Sequence, residues 1–318
     1  MKSDNILHRL HRPGSATHVS LLRVALGLAA FYASSSMIFP LLQESGYNEG
    51  YVAFIPAHLI ALLQADYLLP LARCTQVLGL LFAAGLLTRV VTPALLVSFT
   101  LLFSVYYSAF GHPVHWIYLF FPLLLMCFAR SADVFSIDAL LRNHLRRKRP
   151  VARDPAIYRW PIELMVAWFA YIYVAGAISK MFPLQLGVIW LEGYAIKSVF
   201  VGRFLDSPLY YLGTSPLWNY AESFYPFVAL SVVAMLTEMS ALLLLWGTRW
   251  RMLVLPAIFG MHLVLLAVGV AGFLIPAFAL SLACLPSEWF FRWDPNREKQ
   301  AVVDTKEHAE ELPEAVRG

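Results

Sequence analysis

The chain consists of long apolar runs separated by short polar segments. Most of these runs approach the roughly 20 residues that a helix needs to cross a bilayer, and they lack the period-two alternation of strands. Eight segments are predicted, at 19–42, 71–87, 90–110, 115–129, 160–182, 224–246, 252–268 and 273–291. The sequence therefore predicts an all-α fold, a polytopic transmembrane helix bundle with about eight spans.

The composition agrees with this prediction. Of the 318 residues, 59% are hydrophobic and 14% are charged, and the mean hydropathy is +0.64. Soluble domains are closer to half apolar and a quarter charged. The continuous runs disfavour a β-barrel. The net charge of +4 indicates no nucleic-acid partner, because the basic residues gather in loops beside the apolar segments. The three cysteines have no paired spacing or histidine-rich neighbourhood, so neither a disulfide framework nor a metal site is expected.

The positive charges predict an orientation. With eight spans and a cytoplasmic N-terminus, 20 of the 24 lysines and arginines fall on the cytoplasmic side, as the positive-inside rule requires. Residues 1–18 then form a basic cytoplasmic leader, 19–293 the transmembrane domain, and 294–318 a charged, disordered cytoplasmic tail. Lys180 and the loop 183–223 lie on the non-cytoplasmic side. We expect an integral protein of a bacterial inner (plasma) membrane.

Four ionisable residues within or beside the predicted spans are candidates for chemistry. A rise of about 1.5 Å per residue puts Lys180, His115 and His262 at a similar level in the outer half. Glu238 lies nearer the middle. An isolated charge in hydrocarbon is costly, which favours a cluster in which these groups pair. A desolvated lysine is a usable general base, and a neighbouring histidine can relay a proton.

Each of the four also has a structural interpretation. Lys180 fits a snorkelling anchor, His115 an interfacial residue, and His262 a hydrogen bond between helices. Glu238 is equally consistent with a structural ion pair to Arg73 or to a histidine. The sequence alone leaves both interpretations open for every one of them.

Two further groups flank the predicted lysine helix. Glu163, in its first turn, fits a structural carboxylate that the helix dipole stabilises. After Lys180, the loop residues Trp190, Glu192 and Tyr194 are placed to form an aromatic and acidic lid over the lysine.

An ordered set of motifs resembles a known family. The stretch AGAISK…IWLEGYA is similar to the A-G-x-x-K…W-x-x-G element of the vitamin K-dependent gamma-carboxylase and its bacterial relatives, the HTTM membrane proteins. Further similar segments are HWIYLFFPLLLMCFARSADVFSID at 115–138, IYRWPIELMVAWFAYIYVAGA before the lysine, LTEMSALLLLWGTRWRMLVLPAIFGMH, and the closing LPSEWFFRW. The resemblance covers roughly residues 18–293, in the family's order.

The resemblance implies an activity and a cofactor. In the carboxylase, a lysine acts as the base on reduced vitamin K. The deprotonated hydroquinone reacts with oxygen, a peptide glutamate loses a γ-proton and gains carbon dioxide, and quinone epoxide forms. Lys180 matches that lysine and His115 a histidine that the family uses, so both are expected to be catalytic. The residues expected to bind a reduced vitamin K-type quinone are His262, Trp190, Tyr194, Glu192 and Glu238.

Two other interpretations stay open. Nothing in the chain matches the carboxylase's large lumenal C-terminal domain, which favours a non-catalytic binding or scaffold module, or a subunit that works with a soluble or periplasmic partner. The third interpretation is a small-solute or proton transporter that uses Glu238 and His262. In all three interpretations the lipid bilayer is a partner, and the interpretation as an enzyme adds a lipid quinone.

Overall fold

The computed structural model describes residues 13–43, 56–63, 67–110, 114–146, 155–181, 190–202, 225–267 and 272–291, and all regular secondary structure in these ranges is helical. The α-helices are α1 (Ala16–Gln43), α2 (Ala57–Leu62), α3 (Leu68–Ala84), α4 (Thr88–Phe110), α5 (Phe120–Phe128), α6 (Ile137–Arg146), α7 (Arg159–Met181), α8 (Tyr194–Gly202), α9 (Tyr225–Ser240), α10 (Thr248–Ala267), α11 (Leu274–Cys284) and α12 (Ser287–Phe291). Short 3₁₀ turns at Val114–Leu119, Pro155–Tyr158, Trp190–Glu192 and Ala241–Trp246 extend or connect them.

The prediction of an all-α fold is confirmed within the described ranges. Five helical segments are long and apolar enough to cross a membrane: Ala16–Ile38, Thr88–Ala109, Pro155–Met181, Tyr225–Trp246 and Thr248–Ala267. Three shorter apolar helices, Leu68–Ala84, Trp116–Phe128 and Leu274–Cys284, coincide with the other three predicted segments. This architecture is compatible with an integral membrane protein. The count of eight crossings and the orientation stay predictions, and residues 1–12, 203–224 and the tail lie outside the described residues.

Helices α1 and α3 cross closely because glycines face each other at the crossing. A Cβ on Gly27 would lie 2.7 Å from the carbonyl oxygen of Gly79, and one on Gly79 would lie 3.0 Å from that of Gly27. Small residues of this kind let membrane helices approach backbone to backbone. The α1–α3 pair packs against α4, and α1 also contacts α11.

Helix α7 packs against α5, α9, α11 and the 241–246 turn. Its first turn contains a buried charge cluster: Glu163 accepts from Arg159 at 2.7 Å and from Arg251 at 2.6 Å. The Nε of Arg251 also donates to the carbonyl oxygen of Leu244 at 3.0 Å. Glu163 is thus held by two arginines, one of them from α10, whereas the sequence pattern suggested only a favourable helix dipole.

A second buried cation ties α1 to the turn between α5 and α6. The guanidinium of Arg23 donates to the carbonyl oxygens of Ser131, of Phe135 at 2.5 Å and of Ala83 at 3.3 Å. Arg23 is fully buried. Charge counting treated it as one of the cytoplasmic loop charges, but it lies inside the bundle.

Asp138, in the first turn of α6, caps the start of α4. Its carboxylate accepts the N–H of Leu87 at 2.8 Å, and the N–H and hydroxyl of Thr88 at 2.8 and 2.9 Å. Partial burial raises the pKa of this carboxyl, but the hydrogen bonds from Thr88 and Leu87 outweigh it and leave the pKa below its ordinary value. These hydrogen bonds hold the first turn of α6 against the first turn of α4.

Candidate functional site

Lys180 and Glu238 form an ion pair between the last turn of α7 and the end of α9. The lysine side chain is 21% exposed and the glutamate side chain 10%. The Nζ of Lys180 donates to Oε1 of Glu238. Because an unpaired charge among apolar helices is costly, each of the two supplies the counter-charge of the other.

Trp190 lies over this ion pair. The Nζ of Lys180 is 4.9 Å from the centroid of the Trp190 ring, which is a cation–π distance. The turn that carries Trp190 can approach α9 because it ends on Gly193, with φ at +79°. A Cβ on Gly193 would lie 2.7 Å from the backbone nitrogen of Val228. The glycine therefore permits both the turn conformation and the contact.

A second buried pair lies two helical turns before Lys180 on α7. The hydroxyl of Tyr173 and Nε2 of His262, from α10, share a hydrogen bond. Tyr173, Gly176 and Lys180 follow the helical repeat, so they share one face of α7. His262 also stacks on Phe273, with ring centroids 6.2 Å apart.

The two pairs form one electrostatic site. Lys180 lies within electrostatic range of His262, and Glu238 within range of Tyr173 and of Tyr118. The site therefore draws on α7, α9, α10 and the 3₁₀ turn Val114–Leu119. Its polar groups are enclosed by apolar helices of membrane length.

Each pair leaves one buried atom without a hydrogen-bond partner among the described residues: Oε2 of Glu238 and Nδ1 of His262. Such atoms are uncommon in native structures, because an unmet buried polar group costs about 1–3 kcal/mol. The nearest side-chain atom to a Cβ built on Gly176 would be Oε2 of Glu238, at 3.7 Å, so only a hydrogen occupies that position. The site offers a hydrogen-bond acceptor at Glu238 and, depending on the tautomer, a donor or an acceptor at His262.

The structure brings together some of the expected site residues but not all of them. Lys180 contacts both Glu238 and Trp190, and His262 forms a separate pair with Tyr173. Of the predicted lid residues, Trp190 lies over the lysine, whereas Glu192 and Tyr194 are exposed.

Three further points complete the comparison. The backbone of His115 lies in the turn Val114–Leu119, while its side chain lies outside what the structure describes. The interpretation in which Glu238 pairs with Arg73 or with a histidine is wrong. Arg73 donates to Gln76 at 2.9 Å, and the ion pair of Glu238 is with Lys180. Within the described ranges, no group of three histidine, cysteine or acidic residues converges as a metal site would require.

Sequence reasoning missed Tyr173. Its spacing of seven residues before Lys180 was a usable signal, because that interval returns to the same helix face. The many aromatic residues of the apolar runs concealed it.

The chain was also compared with known proteins. No family model, curated protein or solved structure matches it. The site is therefore interpreted from its own geometry.

Proposed function

We propose that the chain is an integral membrane protein that binds the hydroxyl-bearing ring of a reduced lipid quinone and accepts a proton from it. One observation carries the proposal: two buried polar pairs converge, and each keeps one atom unpartnered. Oε2 of Glu238 suits a ligand hydroxyl that donates, and Nδ1 of His262 suits a second polar group on the same ring. The resemblance to the carboxylase-like HTTM family points to the same ligand class.

The residues present fit such a ring. Gly176 leaves room beside the carboxylate, and Trp190 and Phe273 supply aromatic surfaces at the two ends of the site. A bound quinol would supply an acidic hydroxyl and, with oxygen, reducing power. The apolar helices around the site exclude water, which strengthens every charge interaction within it.

The ion pair suggests how the proton is taken. Lys180 and Glu238 are paired as ammonium and carboxylate, so the free lone pairs belong to Glu238. We assign proton acceptance to Oε2 of Glu238. The ammonium of Lys180 keeps its proton and stabilises the negative charge that remains on the ligand, so the number of charges in the site is unchanged. The family resemblance would give the proton-accepting role to Lys180 itself, and both assignments require the pair.

The test uses the full chain in nanodiscs with a reduced naphthoquinone under oxygen, followed by mass spectrometry for quinone epoxide. We expect epoxide from the wild type, and none above background from Lys180→Ala or from Glu238→Gln. Ser179→Ala is the matched control, since Ser179 sits beside Lys180 but donates only to the carbonyl oxygen of Gly176. It should retain activity.

Two results would contradict the proposal. Undiminished epoxide formation by Lys180→Ala would remove the pair from the chemistry. No epoxide from folded wild type across several quinones would reject the reaction. Binding of a reduced, oxygen-stable quinol analogue would then separate a non-catalytic binding module from a site that takes no quinone at all.

A further inference from the structure

Helix α6, Ile137–Arg146, turns a polar side towards the rest of the protein and an apolar side outward. A helix that packs on a hydrophobic core has the reverse arrangement. Two of its polar residues are engaged by the rest of the protein: Asp138 caps α4, and Arg142 donates to the carbonyl oxygen of Ala132 at 3.1 Å. The one fully buried apolar position is Ala139. The larger apolar residues face outward.

The outward apolar face is defined by Ile137, Leu140, Leu141 and Leu145. Their helical spacing places them on one side, and all four are exposed, Leu140 by 69% and Leu145 by 77%. A helix with this pattern has no hydrophobic reason to stay folded in water, because its apolar side gains no burial. The same pattern is typical of helices that lie in the plane of a membrane interface.

This apolar face continues onto the membrane-length helices. Leu141 and Phe128, the last residue of α5, line the same cleft, and Phe128 is itself largely exposed. Leu87 and Val90, at the start of α4, are also exposed apolar residues and lie beside the Asp138 cap. Exposed apolar residues therefore surround the cleft at the ends of α4 and α5 as well as on α6.

The cleft beside α6 is basic. It has a volume of about 640 Å³, and Arg89, Arg130 and Arg142 contribute to its lining. The acidic residues of the lining are already engaged: Asp138 by α4, and Asp133 by the hydroxyl of Tyr158 at 2.8 Å and by Arg142 at 3.5 Å. The other two cations of the lining are Arg89 and Arg130. The cleft thus joins an apolar edge to guanidinium groups suited to a phosphate.

We propose that α6 lies in the membrane interface, with its apolar face among the acyl chains, and that the cleft beside it binds the phosphate of an anionic phospholipid. The charge of the cleft and the exposed apolar residues around it favour a lipid over a soluble protein. The sequence adds the basic run HLRRKRP at 144–150, which extends the same preference for an anionic surface. This proposal rests on the membrane location proposed above, but it does not depend on the quinone chemistry.

The position of α6 is tested by site-specific fluorescence on the full chain in nanodiscs. The native cysteines Cys74, Cys127 and Cys284 are first replaced by serine or alanine, and an NBD label is attached at Leu145→Cys or at Asn143→Cys. Asn143 is the matched control, since it is exposed on the opposite side of the same helix. We expect the label at 145 to be quenched by lipids brominated near the headgroup, and the label at 143 by aqueous iodide. Equal iodide quenching at both sites would overturn the proposal and leave a second copy or a soluble protein as the occupant.

The lipid preference is tested with the label at 145 in mixed nanodiscs. Brominated phosphatidylglycerol should quench more than brominated phosphatidylcholine at equal content. Because one arginine near an anionic surface changes lipid partitioning by roughly fivefold, Arg89→Gln with Arg130→Gln should abolish most of the difference. Arg249→Gln, an exposed arginine outside the cleft, should preserve it. Equal quenching by the two lipids in the wild type, or an equal effect of the control, would refute the headgroup site.

Discussion

Replacing Glu163 by glutamine should destabilise the protein more than replacing either arginine that it binds. The cluster holds two guanidinium groups and one carboxylate, so its net charge is +1 in the wild type. Glu163→Gln raises the buried net charge to +2, whereas Arg251→Met leaves Arg159 and Glu163 as a neutral pair. The order of the two effects follows from charge alone, because the substituted side chains are similar in size.

The distances set the magnitude. Arg159 and Arg251 lie 2.7 and 2.6 Å from the carboxylate, and all three side chains are at most 5% exposed. Removing one partner of a buried ion pair costs about 3–5 kcal/mol, because the remaining charge is left uncompensated. We expect a loss in this range for Glu163→Gln. Arg251→Met should cost less, about 1–3 kcal/mol, because Glu163 keeps Arg159 as its counter-charge and the main loss is the hydrogen bond to the carbonyl oxygen of Leu244.

The assay is equilibrium unfolding in mixed detergent micelles, followed by far-UV circular dichroism. Arg142→Gln is the control, since its ion pair with Asp133 spans 3.5 Å and the arginine is 37% exposed. Pairs of that kind contribute about 0–1 kcal/mol. A loss for Glu163→Gln no larger than that of the control, or smaller than that of Arg251→Met, would refute the argument from buried charge.

Three further predictions concern other parts of the molecule. Asp138→Asn should lower stability at pH 7, and by progressively less as pH falls below the ordinary value of 3.8. The folded pKa is depressed, so the carboxylate stabilises fully above the unfolded pKa and loses its contribution as pH falls through the folded pKa. A difference that does not depend on pH between about 7 and 2 would contradict this. Gly193→Ala should lower the thermal midpoint of unfolding, because a left-handed backbone costs about 1–2 kcal/mol for alanine and the new Cβ would clash with α9. Gly260→Ala is the control: a Cβ there meets open space, so the midpoint should not fall. Lys180→Met and Glu238→Gln should each destabilise the protein. In a double-mutant cycle, the double variant should lose about 0.5–3 kcal/mol less stability than the sum of the two single losses. Strict additivity would mean that the ion pair does not couple the two residues.

The positions of the helices could be predicted because long apolar runs leave little choice. The segment predicted at 160–182 corresponds to α7 at Arg159–Met181, and the segment at 90–110 to α4 at Thr88–Phe110. The interruptions within these segments were harder to predict. The segment at 224–246 changes from α9 to a 3₁₀ turn after Ser240, and a change of helix type leaves no mark on an apolar pattern.

The contacts of the site could be predicted only in part. Depth counting put Glu238 below Lys180, yet the two meet, because a lysine side chain reaches about one helical turn and helix tilt is not encoded in the residue count. Tyr173 and His262 meet across α7 and α10, and which faces of two apolar helices touch is decided by packing rather than by periodicity. The burial of Arg23 could not be predicted for a related reason, since a charge near the start of an apolar segment looks the same in the sequence whether it faces a headgroup or a neighbouring carbonyl.

The contacts of Arg23 also constrain how the protein is made. Its carbonyl acceptors follow it in the chain by 60, 108 and 112 residues. At ordinary rates of translation the last of them emerges roughly 5–20 s after the arginine. For much of that interval the guanidinium has at most one of these acceptors, the carbonyl oxygen of Ala83, so we expect α1 to complete its contacts only after the turn that follows α5 has been synthesised. The final contacts of the first helix therefore depend on the middle of the chain.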